Sequence, residues 1–314
     1  MSSTVSLNEF LVIRDGVVHA EPRAVQDARL SLQWPARIKH LSASSIGMFR
    51  RCPEQFRHRY LLGQKERPGE SLLIGSAFHE ALEHNYKQKI ESHEDRPLDE
   101  LVQFLQDAGV PKVLEEAGGA DEVAWDAPSA EEGVAVLRAD SERVLAAYRK
   151  KVTERIQPIG VEQKFSIPAE PVPIIGYLDT VTNDDRVIDT KTGKQASTKV
   201  KPSWQLQGVL YATATGWDAE YHSISRAARP RIVTAVESAD MIVRPDETQM
   251  RNVLSTAAQI ADMIAYLYTT RGPDQPWPTL GRFADWSMSF LPCGNCGWRK
   301  VCPAWAGEPG GPPS

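Results

Sequence analysis

The chain has 314 residues, 41% hydrophobic and 25% charged, the profile of a soluble globular protein with a sizeable core. Its 36 basic and 41 acidic residues leave a formal net charge of −5, so any contact with a polyanion has to come from a local basic surface. No apolar run approaches the roughly 18–20 residues that cross a bilayer. The opening "MSSTVSLNEFLVIRDG" lacks the basic-then-apolar pattern of a secretion signal, so the expectation is a cytoplasmic chain with reduced thiols.

In chain order, residues 1–39 read as an N-terminal extension. "LSASSIGMFRR" predicts a short helix capped by Ser44 or Ser45. Pro53 suits the first turn of a second helix, "PEQFRHRYLL", with Cys52 at its N-cap. "LLIGSAFHEALEHNYKQKI" places Ile74, Ala77, Phe78, Ala81 and Leu82 at helical spacing. Residues 93–130 are acidic and broken by Pro and Gly, and read as an insertion with one small helix around "LDELVQFL". Ser129 with Glu132 predicts a capping box on a long helix. The period then changes: "GVEQKFSIPA", "PIIGYLDTVT" and "RVIDTKTG" predict three strands. Helix "SWQLQGVLYATAT", strands "EYHSIS" and "RIVTAVESADMIV", and a last long helix from "PDETQMRNVL" follow. The tail, 306–314, reads as disordered. Helices around a small mixed sheet imply an α/β or α+β class.

The most informative stretch is "GYLDTVTNDDRVIDTKTGK". A three-residue hairpin loop, Asn183–Asp185, sets Asp179 opposite Asp189, with Lys191 on the same face and Leu178 and Ile188 on the other. A two-residue loop would turn Asp179 away. Two carboxylates and a lysine on one face suit a hard divalent cation that also meets substrate phosphates. They equally suit a solvated hairpin with a cross-strand ion pair.

"LDTV…VIDTKTGK" resembles the PD-(D/E)XK nuclease signature in its RecB-like form, with Leu178 where the family usually has Pro. "IGSAFHEALE" resembles that family's G-x-x-x-H helix, "QGVLYA" its Q-x-x-x-Y helix and "GVEQKFSI" its first core strand. The resemblance spans residues 40–305 and implies a restriction-endonuclease-like core. It implies metal held by His79, Asp179 and Asp189, a catalytic Lys191, and supporting Gln207 and Tyr211. Glu162 stands at the family's acidic strand position, with its role left open.

The chain has four cysteines: Cys52, and Cys293, Cys296 and Cys302 near the C-terminus. Four thiolates satisfy a [4Fe–4S] cube or a tetrahedral zinc, and a disulfide is a third option. The C-x₂-C-x₅-C spacing with a remote Cys resembles the iron–sulfur subgroup of these nucleases, which includes CRISPR-associated exonucleases. The resemblance implies a cluster stapling the two ends of the domain. Arg50, Arg51, Arg57 and Arg59 flank Cys52 as a candidate DNA-binding patch. The expectation is a Mg²⁺- or Mn²⁺-dependent DNA exonuclease on single-stranded ends, with 5′→3′ polarity, serving recombination, repair or phage/CRISPR DNA processing. No nucleotide-binding G-x-x-x-x-G-K-[ST] pattern is present, so unwinding would need a helicase partner. Two rival readings are a DNA-binding adaptor in CRISPR spacer capture, with incidental cleavage, and a zinc-stapled interaction protein.

Overall fold

The computed structural model describes residues 11–14, 17–20, 32–279, 296, 298, 301 and 302. The predicted disordered tail lies outside them. Within the N-terminal extension, β1 (Leu11–Arg14) and β2 (Val17–Ala20) pair antiparallel. Helix α1 (Ala43–Arg51) starts one turn earlier than the predicted caps. Ser42 is the N-cap because Ser45 stands at the third helical position and closes a reciprocal box: Ser45 N donates to Ser42 Oγ at 3.2 Å and Ser42 N to Ser45 Oγ at 2.8 Å. Cys52 is extended, and Pro53 opens α2 (Pro53–Phe56), which runs into a π-helical turn over Arg57–Leu61.

Four helices follow: α3 (Glu70–Ser92), α4 (Leu98–Phe104), α5 (Val110–Glu116) and α6 (Ala130–Lys151). The acidic stretch thus holds two helices where one was expected, joined by a π-helical turn over Leu105–Gly109. Its Leu101, Leu105, Val110 and Val113 share one core with α3 and α6, so it packs as part of the domain. Ser129 accepts from Glu132 N at 3.2 Å and caps α6.

The sheet has strands β3 (Pro158–Ile167), β4 (Ile174–Thr182), β5 (Arg186–Gly193), β6 (Asp218–Ser225), β7 (Ile232–Val233) and β8 (Ile242–Val243). Its order is β3-β4-β5-β6-β7, with β8 pairing β6. β3, β4 and β5 meander antiparallel; α7 (Pro202–Thr215) then crosses over so that β6 lies parallel to β5. The predicted strand 231–243 is broken in two, because Glu237 accepts from both the N–H (2.8 Å) and the hydroxyl (2.7 Å) of Thr234 and turns the chain. The long helix α8 (Glu247–Arg271) is the last helix or strand among the described residues.

One face of this mixed sheet lies under α3 and α6, with Ile188 and Ile224 in their core. The other lies under α7, where Val181, Val187, Val209 and Tyr221 meet. A third cluster unites α1, α2 and α8 through Phe49, Phe56, Ile260, Ile264 and Trp277. Ile188 and Leu178, predicted to share a face, join the first and second clusters respectively. The paired register of β4 and β5 covers only Thr180–Ile188 and Val181–Val187, so strict alternation does not carry to Leu178. Among the described residues no helix is long and apolar enough to cross a membrane.

Candidate metal centre and active site

The turn between β4 and β5 comprises Asn183, Asp184 and Asp185, with Asp185 left-handed at φ 59°. Its three residues give the register Thr180–Ile188 and Val181–Val187, the one expected of a three-residue loop. Past Thr180–Ile188 the ladder stops, and Asp179 Oδ2 accepts instead from Thr190 N at 3.4 Å.

Helix α3 delivers His79. A Cβ on Gly75, one turn earlier, would meet Thr192 Oγ1 at 3.0 Å, so glycine lets the helix approach β5. His79 Nε2 lies 2.8 Å from the Thr190 carbonyl. A carbonyl only accepts, so in the neutral ring Nε2 carries the proton and Nδ1 a lone pair, 3.7 Å from Asp179 Oδ2.

Glu162 completes the group. It lies between the pairs Val161–Thr180 and Gln163–Leu178, across from Asp179, with a left-handed φ of 49°. One ligand atom from each of His79, Glu162 and Asp179 falls within 4.8 Å of the others. Glu162 is exposed as a residue, yet partial desolvation of its carboxyl, then the charge of Asp179, pushes its pKa up to about 7.

Asp189 is fully buried; desolvation, then Asp179, raises its pKa to about 6 against the pull of Lys191. Lys191 Nζ donates to Asp189 Oδ2 at 3.0 Å and to Gln207 Oε1 at 3.1 Å. Burial lowers the Lys191 pKa, but the Asp189 and Asp179 charges outweigh it and the net shift is upward. From α7, Gln207 donates to the Tyr211 hydroxyl at 2.5 Å, which donates to Asp189 Oδ2 at 3.2 Å. Asp189 Oδ1 lies 2.7 Å from Lys191 Nζ, yet accepts no well-directed hydrogen bond and is buried.

The carboxylates of Asp179 and Glu162 and the His79 lone pair can converge on one ion, with the Asp189 carboxylate beside them, a mostly oxygen donor set that fits Mg²⁺ or Mn²⁺. A cleft of about 370 Å³, lined by Asp179, Gln207, Tyr211, Ser42, Ser44 and Tyr177, opens beside it. Every predicted residue of this group is thus brought to one place, and Glu162 joins them.

The arginines divide. Arg50 and Arg51 are exposed and Arg59 half-buried. Arg57, predicted in the same patch, is buried: it donates to both Glu54 oxygens at 2.8 and 2.6 Å and to Pro273 O at 2.7 Å. Its charge is committed inside the protein, where it cannot meet a phosphate.

Cys52 is buried, Cys296 and Cys302 are half-buried, and no disulfide joins these three. Cys296 stands near Cys52: burial raises its thiol pKa first, a bond to Gln55 lowers it, and Cys52 adds a smaller upward push. Cys293 lies outside the described residues. His58 stacks on Trp298 with ring centroids 5.7 Å apart, and Trp277 N donates to Glu54 at 2.7 Å. The segments around Cys52 and the C-terminal cysteines therefore meet, as a shared four-thiolate site requires.

Comparison with known proteins gives one family. The sequence model described as the PD-(D/E)XK nuclease superfamily matches residues 40–303. No curated protein matches the chain. Among solved structures, the chain is similar to a "Putative exonuclease" from Eubacterium rectale, with 13% identity, 76% of this chain and 84% of that one covered, and a TM-score of 0.47. It is also similar to a protein named SSO0001, with 13% identity, 74% and 95% covered, and a TM-score of 0.33.

Proposed function

This chain belongs to the PD-(D/E)XK nuclease superfamily, and from that membership we propose that it is a Mg²⁺- or Mn²⁺-dependent deoxyribonuclease, working as an exonuclease on single-stranded ends with 5′→3′ polarity. The observation that carries the reading is the convergence of His79, Glu162, Asp179 and Asp189 beside Lys191 at the opening between β4 and β5. His79, Glu162, Asp179 and Asp189 would hold a divalent cation, which would supply Lewis acidity to a phosphoryl oxygen and lower the pKa of a bound water. The Asp189 and Asp179 carboxylates beside Lys191 raise its pKa, and as an ammonium it serves the developing phosphoryl charge. Gln207 and Tyr211 hold Lys191 and Asp189 in place.

The same reading assigns Cys52, Cys293, Cys296 and Cys302 to a [4Fe–4S] cluster of the RecB-like, CRISPR-associated type, and phosphate contacts to Arg50, Arg51 and Arg59. It also places the protein in the cytoplasm with a separate helicase as partner.

The test uses linear DNA labelled at either end, single- and double-stranded, against closed circles, with Mn²⁺ or EDTA. Mn²⁺-dependent shortening of linear single strands, with circles spared, is expected. Lys191→Ala should keep Mn²⁺ binding while turnover falls by about 10²–10³. Asp189→Ala should lose both together. Cleavage that survives EDTA, or that Lys191→Ala leaves intact, overturns the assignment.

A further inference from the structure

Behind the candidate site, on the face covered by α3 and α6, runs a buried polar chain that the hydrolytic chemistry leaves unused. It starts at Thr190, which is 1% exposed and stands between Asp189 and Lys191. The Thr190 main chain touches two candidate ligands on other elements: its N–H, in the peptide after Asp189, donates to Asp179, and its carbonyl, in the peptide before Lys191, accepts from His79. Whatever fixes Thr190 fixes both.

The parallel register of β5 and β6 sets Thr190 beside His222. Tyr148 descends from α6 with its hydroxyl 2.6 Å from His222 Nδ1 and lying also against Thr190. His222 Nε2 is 2.9 Å from Glu220 Oε1, which also accepts from Ala235 N at 3.0 Å, while Arg186 donates to the other oxygen. Burial alone would raise the Glu220 pKa, but the His222 and Ala235 hydrogen bonds and the Arg186 charge bring it down to about 2. It is therefore a carboxylate and can only accept. In the neutral ring, Nε2–H then points to Glu220 and Nδ1 accepts from the Tyr148 O–H, while Thr190 and Tyr86 lie against the phenol oxygen. A second link runs through Phe78, which packs edge-on against both Tyr148 (5.5 Å between centroids) and His79 (5.6 Å).

We propose that Tyr148 and His222 are positioning residues, fixing Thr190 from behind and, through the two peptides that flank it, orienting His79 and Asp179 toward the divalent cation. This rests on the metal-dependent reading of the site. Outer partners of metal ligands set ligand orientation, and their loss costs on the order of 10–100-fold in metal affinity or activity. A role in core stability alone would lower the melting temperature and leave metal affinity untouched.

Tyr148→Phe removes the hydroxyl but keeps the ring against Phe78, and Thr190→Val keeps the branched shape but removes the other hydroxyl. The full chain and each variant are titrated with Mn²⁺ alone, free Mn²⁺ being read by electron paramagnetic resonance, and kcat and KM are then measured on DNA. Both variants should bind Mn²⁺ about 10-fold or more weakly, with lower kcat and an unchanged KM for DNA. Should Tyr148→Phe fail to fold, Thr190→Val alone decides the matter. Wild-type Mn²⁺ affinity in the folded variants overturns the proposal, whatever their melting temperatures. An unaltered chain that binds Mn²⁺ but cleaves nothing sinks the nuclease reading, while the affinity comparison still tests the positioning role.

Discussion

Glu162 brings a carboxylate to a place that resists it twice: its backbone is left-handed at φ 49°, and Asp179 lies across from it. Such a residue is retained for its charge and not for stability. Its folded pKa of about 7 stands above the ordinary 4.5, so the folded protein disfavours the ionised form. The consequence for stability has a definite sign. Below about pH 4.5 the group is neutral in both states and costs nothing; the penalty grows from there to pH 7 and is then complete. In EDTA, Glu162→Gln should therefore melt with wild type near pH 4.5 and above it beyond pH 7, while its Mn²⁺ affinity falls. A melting difference that does not change with pH would count against the crowding. Asp179, Asp189 and Lys191 were legible in sequence because a three-residue loop sets them on one face, and His79 through the resemblance of its helix to the family's G-x-x-x-H motif. Glu162 was legible only as the family's acidic strand position with its role open, because its place depends on the register of β3 against β4, which no short turn dictates. The fate of Arg57 was equally hidden, since one of its acceptors, Pro273, comes from the far end of the chain.

At the scale of elements, the short α2 is held less by its own length than by one buried carboxylate. Glu54 takes both nitrogens offered by Arg57, lies 3.3 Å from His58 Nε2 and accepts from Trp277 N. Burial alone would raise its pKa; these donors reverse that and bring it to about 2 from the ordinary 4.5. The stabilisation is thus fully present above about pH 4.5 and is lost as the pH falls toward 2. Glu54→Gln leaves Arg57 buried without its counter-charge, a change that costs about 3–5 kcal/mol. The variant should melt on the order of 10 °C lower at pH 7. Between pH 4.5 and 2 that gap should close, because wild type loses there what the variant already lacks. Parallel acid melts followed by circular dichroism read both, and a gap that stays constant into acid would refute the assignment. Helix and strand identities were largely readable from periodicity at this scale. The break in 231–243 was not, because it comes from a side chain taking the hydrogen bonds of its own backbone.

For the whole molecule, the question is what the joining of the two ends contributes. A cross-link between Cys52 and the C-terminal cysteines would close a loop of about three-quarters of the chain, and chain-entropy arguments give such a link on the order of 5 kcal/mol. Protein contacts already join the same regions: Arg57 to Pro273, Glu54 to Trp277, and His58 stacked on Trp298. Such a link would therefore add to a docked interface and not create it. Loss of one thiolate should loosen the C-terminal turn while leaving β4, β5 and α7 intact. Anaerobically purified protein should be brown and hold about four irons per chain if the proposed cube is right. Cys52→Ser should lose the colour and melt several degrees lower, with Trp298 fluorescence shifting red as its face against His58 opens. Its Mn²⁺ affinity should stay within about twofold of wild type, because distant sites without shared partners act independently. Colourless protein with one zinc per chain would replace the cube with a tetrahedral site. A Cys52→Ser variant that keeps the wild-type melting temperature would show that the contacts of Glu54, Arg57 and His58 hold the ends together unaided.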